Sequence, residues 1–96
     1  MLFVSQSSGV FRIRVYERPD FSGQMLEATE DMNNLPDHWP LREVHSARVK
    51  DGAWVFHELP DYHGRQYLLE RGEYRRYNEW AAMSPNVGSF RRIHDF

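Results

Sequence analysis

The sequence predicts an all-β domain built from two copies of one strand-and-turn unit, and three observations lead there. Tyr16-Glu17-Arg18-Pro19-Asp20-Phe21-Ser22-Gly23 recurs about forty residues on as His57-Glu58-Leu59-Pro60-Asp61-Tyr62-His63-Gly64, which signals internal two-fold symmetry. Phe11-Arg12-Ile13-Arg14-Val15 alternates apolar and charged side chains, the period of a strand with one face in a core and the other in water. Neither Asn33 to Asp37 nor Asn78 to Met83, the segments between the strands, carries a long 3.6-residue period.

The elements follow in order. Residues 1–10 read as a flexible leader or linker remnant: Met1 to Val4 is too short for a signal-peptide core, and Ser5-Gln6-Ser7-Ser8-Gly9 has linker composition. An intracellular chain is the expectation. Residues 11–96 form the domain, the first unit spanning about 11–50 and the second about 52–96. In the first, Phe11 to Val15 is the opening strand, Gln24 to Ala28 follows the turn, Asn33-Asn34-Leu35-Pro36-Asp37 is a turn or single helical turn, and Ser46 to Val49 closes the unit. In the second, the counterparts are Ala53 to Phe56, Arg65 to Leu69, Asn78 to Met83 and Ser89 to Ile93.

Several residues are singled out by the repeat. Gly23 and Gly64 stand where a sharply folded hairpin needs φ > 0. Ser46 and Ser89 correspond, and a strand hydroxyl there can bond hairpin backbone that lacks a ladder partner. The rival reading, a catalytic serine, would require a histidine and an acid beside each copy. Tyr74, in Glu73-Tyr74-Arg75-Arg76-Tyr77, is placed to bury its ring and return its hydroxyl to the backbone, as in a tyrosine corner. Trp39, Trp54 and Trp80 are too widely spaced for a local platform and are assigned to the core.

Composition excludes several functions. The 96 residues, 41% hydrophobic and 15% aromatic, suit one globular domain, and no apolar run is long enough to cross a bilayer as a helix. Without cysteine there is no disulfide, thiolate nucleophile or cysteine zinc site. A formal net charge of -2 gives no broad field for nucleic acid or anionic lipid. The short basic runs Arg75-Arg76 and Arg91-Arg92 are diluted by Glu70, Glu73, Glu79 and Asp95, so no phosphate-tracking stripe forms. Lys50 is the sole lysine, so nearly all the basic residues are arginine, suited to stacking on aromatic rings and pairing with carboxylates. Guanidinium and aromatic groups are also polarizable, and a chain rich in both raises refractive index per unit mass. His38, His45, His57, His63 and His94 lack metalloenzyme spacing, and the paired acids Glu17/Glu58 and Asp20/Asp61 are better explained by turn chemistry and arginine pairing than by catalysis.

From about Phe11 to Phe96 these motifs resemble the βγ-crystallin family: an aromatic, an acid, Phe or Tyr and Gly at fixed spacing, given twice, with the paired serine and the Glu-Tyr-Arg-Arg-Tyr arch. Gly64-Arg65-Gln66-Tyr67-Leu68-Leu69 and Ser89-Phe90-Arg91-Arg92-Ile93 are similar to the C-terminal domain of vertebrate lens gamma-crystallins, nearest to the gamma-S type. The resemblance implies a double Greek-key sandwich of two interlocked four-stranded antiparallel sheets, each key giving its last strand to the other's sheet. It implies no enzymatic activity, no cofactor and a structural role in the eye lens, in the cytoplasm of lens fibre cells. His57 departs from the pattern by replacing the opening aromatic. The alternative is a calcium-binding or stress-related module outside the lens. The family's calcium pattern, however, is poorly matched by Leu41 to Ser46 and Ser84 to Ser89, where Arg42 stands in place of an oxygen ligand.

The two copies also differ. Arg14 becomes Val55, Glu27 becomes Leu68 and Lys50 becomes Ile93, all at outward positions of alternating strands. An exposed apolar patch at Val55, Leu68 and Ile93, rimmed by Gln66 and Arg91, is therefore expected on the second unit. The resemblance supplies its occupant, a paired βγ-crystallin domain or a weak homodimer. Other crystallins at high concentration are the remaining partners, with no nucleic acid and no membrane.

Overall fold

In the computed structural model, residues 10–39 and 42–94 are described. The leader expected over residues 1–10 lies outside that description except for Val10, which is exposed.

Among the described residues, seven strands carry the fold: β1 (Arg12–Arg18), β2 (Ser22–Ala28), β3 (Ser46–Asp51), β4 (Trp54–Leu59), β5 (His63–Leu69), β6 (Gly72–Tyr74) and β7 (Ser89–Arg92). Short 3-10 turns occupy Leu35–Asp37, Pro60–Tyr62 and Tyr77–Trp80. The strands form two antiparallel sheets, ordered β2-β1-β3-β6 and β5-β4-β7. Alternation works as the sequence indicates. Ile13 and Val15 of β1 and Trp54 and Phe56 of β4 turn inward, where they meet Val49, Leu69 and Phe90 with no more than 2% of any side chain exposed. Each such aliphatic side chain contributes about 1.5–3 kcal/mol by leaving water. The aromatic members lock edge to face, Phe56 against Trp80 at 5.1 Å and Trp54 against Phe90 at 5.7 Å.

The exchange between units differs from the expectation in two respects. First, the traded segment is the third of each unit and not the last. β6, from the second unit, pairs with β3 through Ala47↔Tyr74, Arg48↔Glu73 and Val49↔Gly72. The closing strands β3 and β7 stay with their own units, paired to β1 and β4. Second, the second sheet has three strands, and its fourth member shrinks to one bridge in which Met32 and Phe90 exchange N–H···O bonds of 2.8 and 2.9 Å. The cause is local. Met32 is followed within a few residues by the turn Leu35–Asp37, and Pro36 has no N–H to extend a ladder.

The Tyr74 hydroxyl accepts the Glu70 N–H (2.9 Å) and donates to the Glu70 carbonyl (3.1 Å). That pair of bonds fixes the arch carrying β6 from the second unit to the first sheet.

Candidate functional site

The features duplicated by the repeat converge on two folded hairpins. β1–β2 and β4–β5 each bend back over the sheet, which leaves backbone groups near the bend without ladder partners. Ser46 Oγ donates to the Arg18 carbonyl (2.7 Å) and accepts the Phe21 N–H (2.9 Å). Ser89 Oγ makes the same two bonds, to the Leu59 carbonyl (2.7 Å) and from the Tyr62 N–H (2.9 Å). Both serines are fully buried. Each hydroxyl is thus spent on holding a bend and is not displayed as a nucleophile.

Gly23 and Gly64 adopt φ of 79° and 82°. A Cβ at Gly23 would come within 2.6 Å of Glu17 Oε1, whereas at Gly64 the closest approach is 3.1 Å. Sequence reasoning missed the residues just before them: Asp20 and Phe21 (φ 58° and 60°) and Asp61 and Tyr62 (φ 58° and 63°) are all left-handed. The available signal was the repeated Asp after Pro, since Asp tolerates this region better than most residues. The aromatics that follow have no such licence and are held by the serine bonds and by ring contacts. Phe21 packs on Tyr16 (5.6 Å) and Tyr62 on His57 (5.6 Å), so His57 keeps the aromatic pair in its unit. Gly88 was also missed. Its N–H donates to the His57 carbonyl (2.9 Å), and a Cβ there would lie 2.4 Å from the Leu59 carbonyl carbon.

The outer sheet faces differ in kind. On the first, Arg14 Nε donates to Glu27 Oε1 (2.8 Å), with Arg12 at 3.8 Å from the same carboxylate. Arg14's hydrogen bond holds the Glu27 carboxyl below the ordinary carboxylate range. Arg48 lies over the Phe21 ring (4.1 Å) and 3.2 Å from Glu73. On the second face, Val55 stands in register with Leu68 on one side and Arg91 on the other, and Gln66 stands opposite His57. Ile93 continues that row, its N–H bonded to the Ala53 carbonyl (3.0 Å).

All five residues expected at a partner surface therefore share one face, but the expected three-residue exposed patch is corrected. Val55 is only 8% exposed, Ile93 is half-buried and Leu68 is 48% exposed. Val55 is short and sits on the central strand, where its neighbours on β5 and β7 cover it. The open apolar surface centres on Leu68.

The windows compared with the calcium pattern pair with each other. Val44 N–H donates to the Pro85 carbonyl (2.8 Å), Val87 N–H to the Arg42 carbonyl (3.1 Å), and Glu43 bridges Asn86. Beside them a groove of about 450 Å³ is lined by Asn34, Asp37, Arg42, Glu58 and Asn86, among others. Arg42, at a place where the calcium pattern has an oxygen ligand, lines this groove with a cation. Among the described residues no three His, Asp or Glu side chains are grouped to hold a metal ion, and no helix is long and apolar enough to cross a membrane.

The family model for beta/gamma crystallin matches residues 12–93. Gamma-crystallin B of Canis lupus familiaris is 57% identical over 93 residues, covering 97% of this chain and 53% of that protein. Gamma-crystallin S of Oryctolagus cuniculus is 53% identical over 87 residues, covering 91% of this chain and 49% of that protein. The chain thus spans about half the length of the curated relatives it matches, and identities this close assign no gamma subtype. Among solved structures, an archaeal betagamma-crystallin is 32% identical with a TM-score of 0.76, covering 86% of this chain and 98% of that one. A beta gamma crystallin from Ciona intestinalis, 24% identical, shares the fold with a TM-score of 0.82 over 85% of this chain and 99% of that one.

Proposed function

Because the chain belongs to the beta/gamma crystallin family, we propose that it is a non-catalytic structural constituent of the eye lens, held in fibre-cell cytoplasm at high concentration. The observation that carries the reading is the 57% identity to a gamma-crystallin along nearly the whole chain. The geometry agrees with it. The residues that repeat are spent on the hairpins, and the arginines are laid over rings, as Arg48 is over Phe21 and Arg92 over Phe11 (5.8 Å). Work of this kind is physical: a polarizable, closely packed chain refracts, and small net charge with paired surface ions permits dense packing.

The partner in this reading is a second βγ-crystallin domain, or a second copy of this chain, seated on Leu68 and Ile93 with Gln66 and Arg91 at the rim. Support comes from the replacement of the charged Arg14–Glu27 pair by Val55–Leu68, and from relatives almost twice as long as this chain. The calcium-module alternative is disfavoured by Arg42 in the groove and by both serine hydroxyls being engaged.

Two measurements test the proposal. Calorimetric titration with calcium, combined with refractive increment and light scattering at high concentration, is expected to show no tight calcium binding, a high increment and low scatter. Micromolar calcium affinity with a large rise in melting temperature would overturn the lens assignment. Sedimentation is expected to show weak self-association that Leu68→Asp abolishes, and a strict monomer at the highest soluble concentration would remove the second copy as occupant.

A further inference from the structure

Copy one places Tyr16 at the root of its folded hairpin, and copy two places His57 there. The imidazole is 2% exposed, on the outer face of β4, in register with Gln66 of β5 and Ser89 of β7. Its ring meets the Tyr62 ring edge on, 5.6 Å away at 72°. Arg91 Nε lies 3.2 Å from His57 Nε2 and donates to it. A guanidinium has no lone pair to offer, so Nε2 must be the acceptor and the ring proton is assigned to Nδ1, which is buried with no partner among the described residues.

Among the described residues nothing around the ring welcomes a second proton. Arg91 faces the ring from β7, His63 from the start of β5, and the Tyr62 phenol from the hairpin bend, while Gln66 and Ser89 are uncharged. The nearby acids are engaged elsewhere. Glu58 is directed at Gly64, and Asp31 and Asp61 act on the Tyr62 phenol, Asp31 also holding Arg92 at 3.0 Å.

We infer that His57 and Arg91 form an acid-operated latch on the second Greek key. The neutral ring holds Arg91 against the sheet. Uptake of one proton at Nε2 consumes the acceptor lone pair and sets two N–H groups of like charge against each other. Arg91 is released, and the hairpin that rests on His57 through Tyr62 loosens. Since Arg91 stands opposite Val55, the same proton changes the charge beside Leu68.

The sign of the pH effect follows. Burial, then Arg91 and His63, lower the His57 pKa in the folded chain below its ordinary 6.5, so the unfolded chain binds this proton first. The latch contributes in full above the unfolded value and is lost as pH falls through it toward the folded value. Copy one has the phenol of Tyr16 at this place, with no ring nitrogen to take up a proton, which confines the effect to copy two.

Imidazole-resolved NMR titration of the chain, with thermal melts between about pH 8 and about pH 5, tests the latch. The expected result is a neutral His57 in the Nδ1–H form that titrates below its ordinary value, and whose midpoint rises in Arg91→Met. The wild-type melting midpoint should also fall on acidification by about 4 °C more than that of His57→Tyr. An Nε2–H tautomer, a titration midpoint at or above the ordinary value, or equal acid losses in wild type and His57→Tyr would each overturn it. Should His57→Tyr fail to fold, the tautomer and the Arg91→Met titration still decide.

Discussion

The two Greek keys share a hairpin and differ in what they show to water. Ser46 and Ser89 make the same two bonds at the same distances, and the Asp-aromatic pairs before Gly23 and Gly64 share the same left-handed backbone. One sheet then carries Arg14–Glu27 on its outer face where the other carries Val55–Leu68. The bend is the part of the unit that cannot vary without leaving part-buried backbone unpaired, whereas the outer face is free to specialise. Mutations that separate the two keys measure how far that division holds.

The largest effect is expected at Gly88, whose counterpart in the first key is His45. Gly88→Ala drives a methyl onto the backbone at Leu59 and Pro60, at 2.4 and 2.5 Å. Backbone cannot move aside as a flexible side chain does, so the second hairpin must shift, at a cost of about 3 kcal/mol or more. Position 45 already bears a side chain, so His45→Ala should cost little, and chemical denaturation of both variants checks the asymmetry. Equal losses would show that the two bends are closer in shape than these distances indicate.

Next are the serines. Ser46→Ala or Ser89→Ala removes a fully buried hydroxyl and strips a part-buried N–H and C=O of their partner, for about 2–3 kcal/mol each. The matched geometry predicts matched losses, and a difference above about 1 kcal/mol between them would break the equivalence of the keys. Below these come the glycines. Gly23→Ala should cost about 2 kcal/mol and Gly64→Ala about 1, since both force a left-handed alanine but only Gly23 sets the methyl against Glu17 at 2.6 Å. Glu17→Ala should narrow the gap in a double-mutant cycle, because the obstructing carboxylate is then gone.

What could be read from the sequence divides along the same line. Local rules gave the alternation of β1, the glycines of the bends and the burial of Trp54 and Trp80. They did not give the left-handed Phe21, because its support is a hydroxyl 25 residues away. Nor did they give the exchange of β6, a strand of three residues whose identity depends on a partner in the other unit. On the candidate surface, alternation placed Val55, Leu68, Gln66, Arg91 and Ile93 on one face correctly. It overstated the exposure of Val55, since a period of two tells which way a side chain points and not what its neighbours cover.

The smallest effect on stability, and the sharpest test of specialisation, is to give the first key the second key's face. Arg14→Val with Glu27→Leu replaces an exposed ion pair by the residues found at Val55 and Leu68. Solvent screens that pair, so its loss should leave the melting temperature nearly unchanged. Association should change instead. If an apolar cross-strand pair is enough to make a partner surface, the variant gains concentration-dependent pairing through key one, visible as a rise in sedimentation coefficient at concentrations where the parent is monomeric. If it stays monomeric, the difference lies in the rim. Arg48 is drawn over Phe21 and toward Glu73, whereas Arg91 is held by His57 beside the open Leu68. Adding Tyr16→His to the variant then asks whether the rim arginine must be held in the same way for the apolar face to be used.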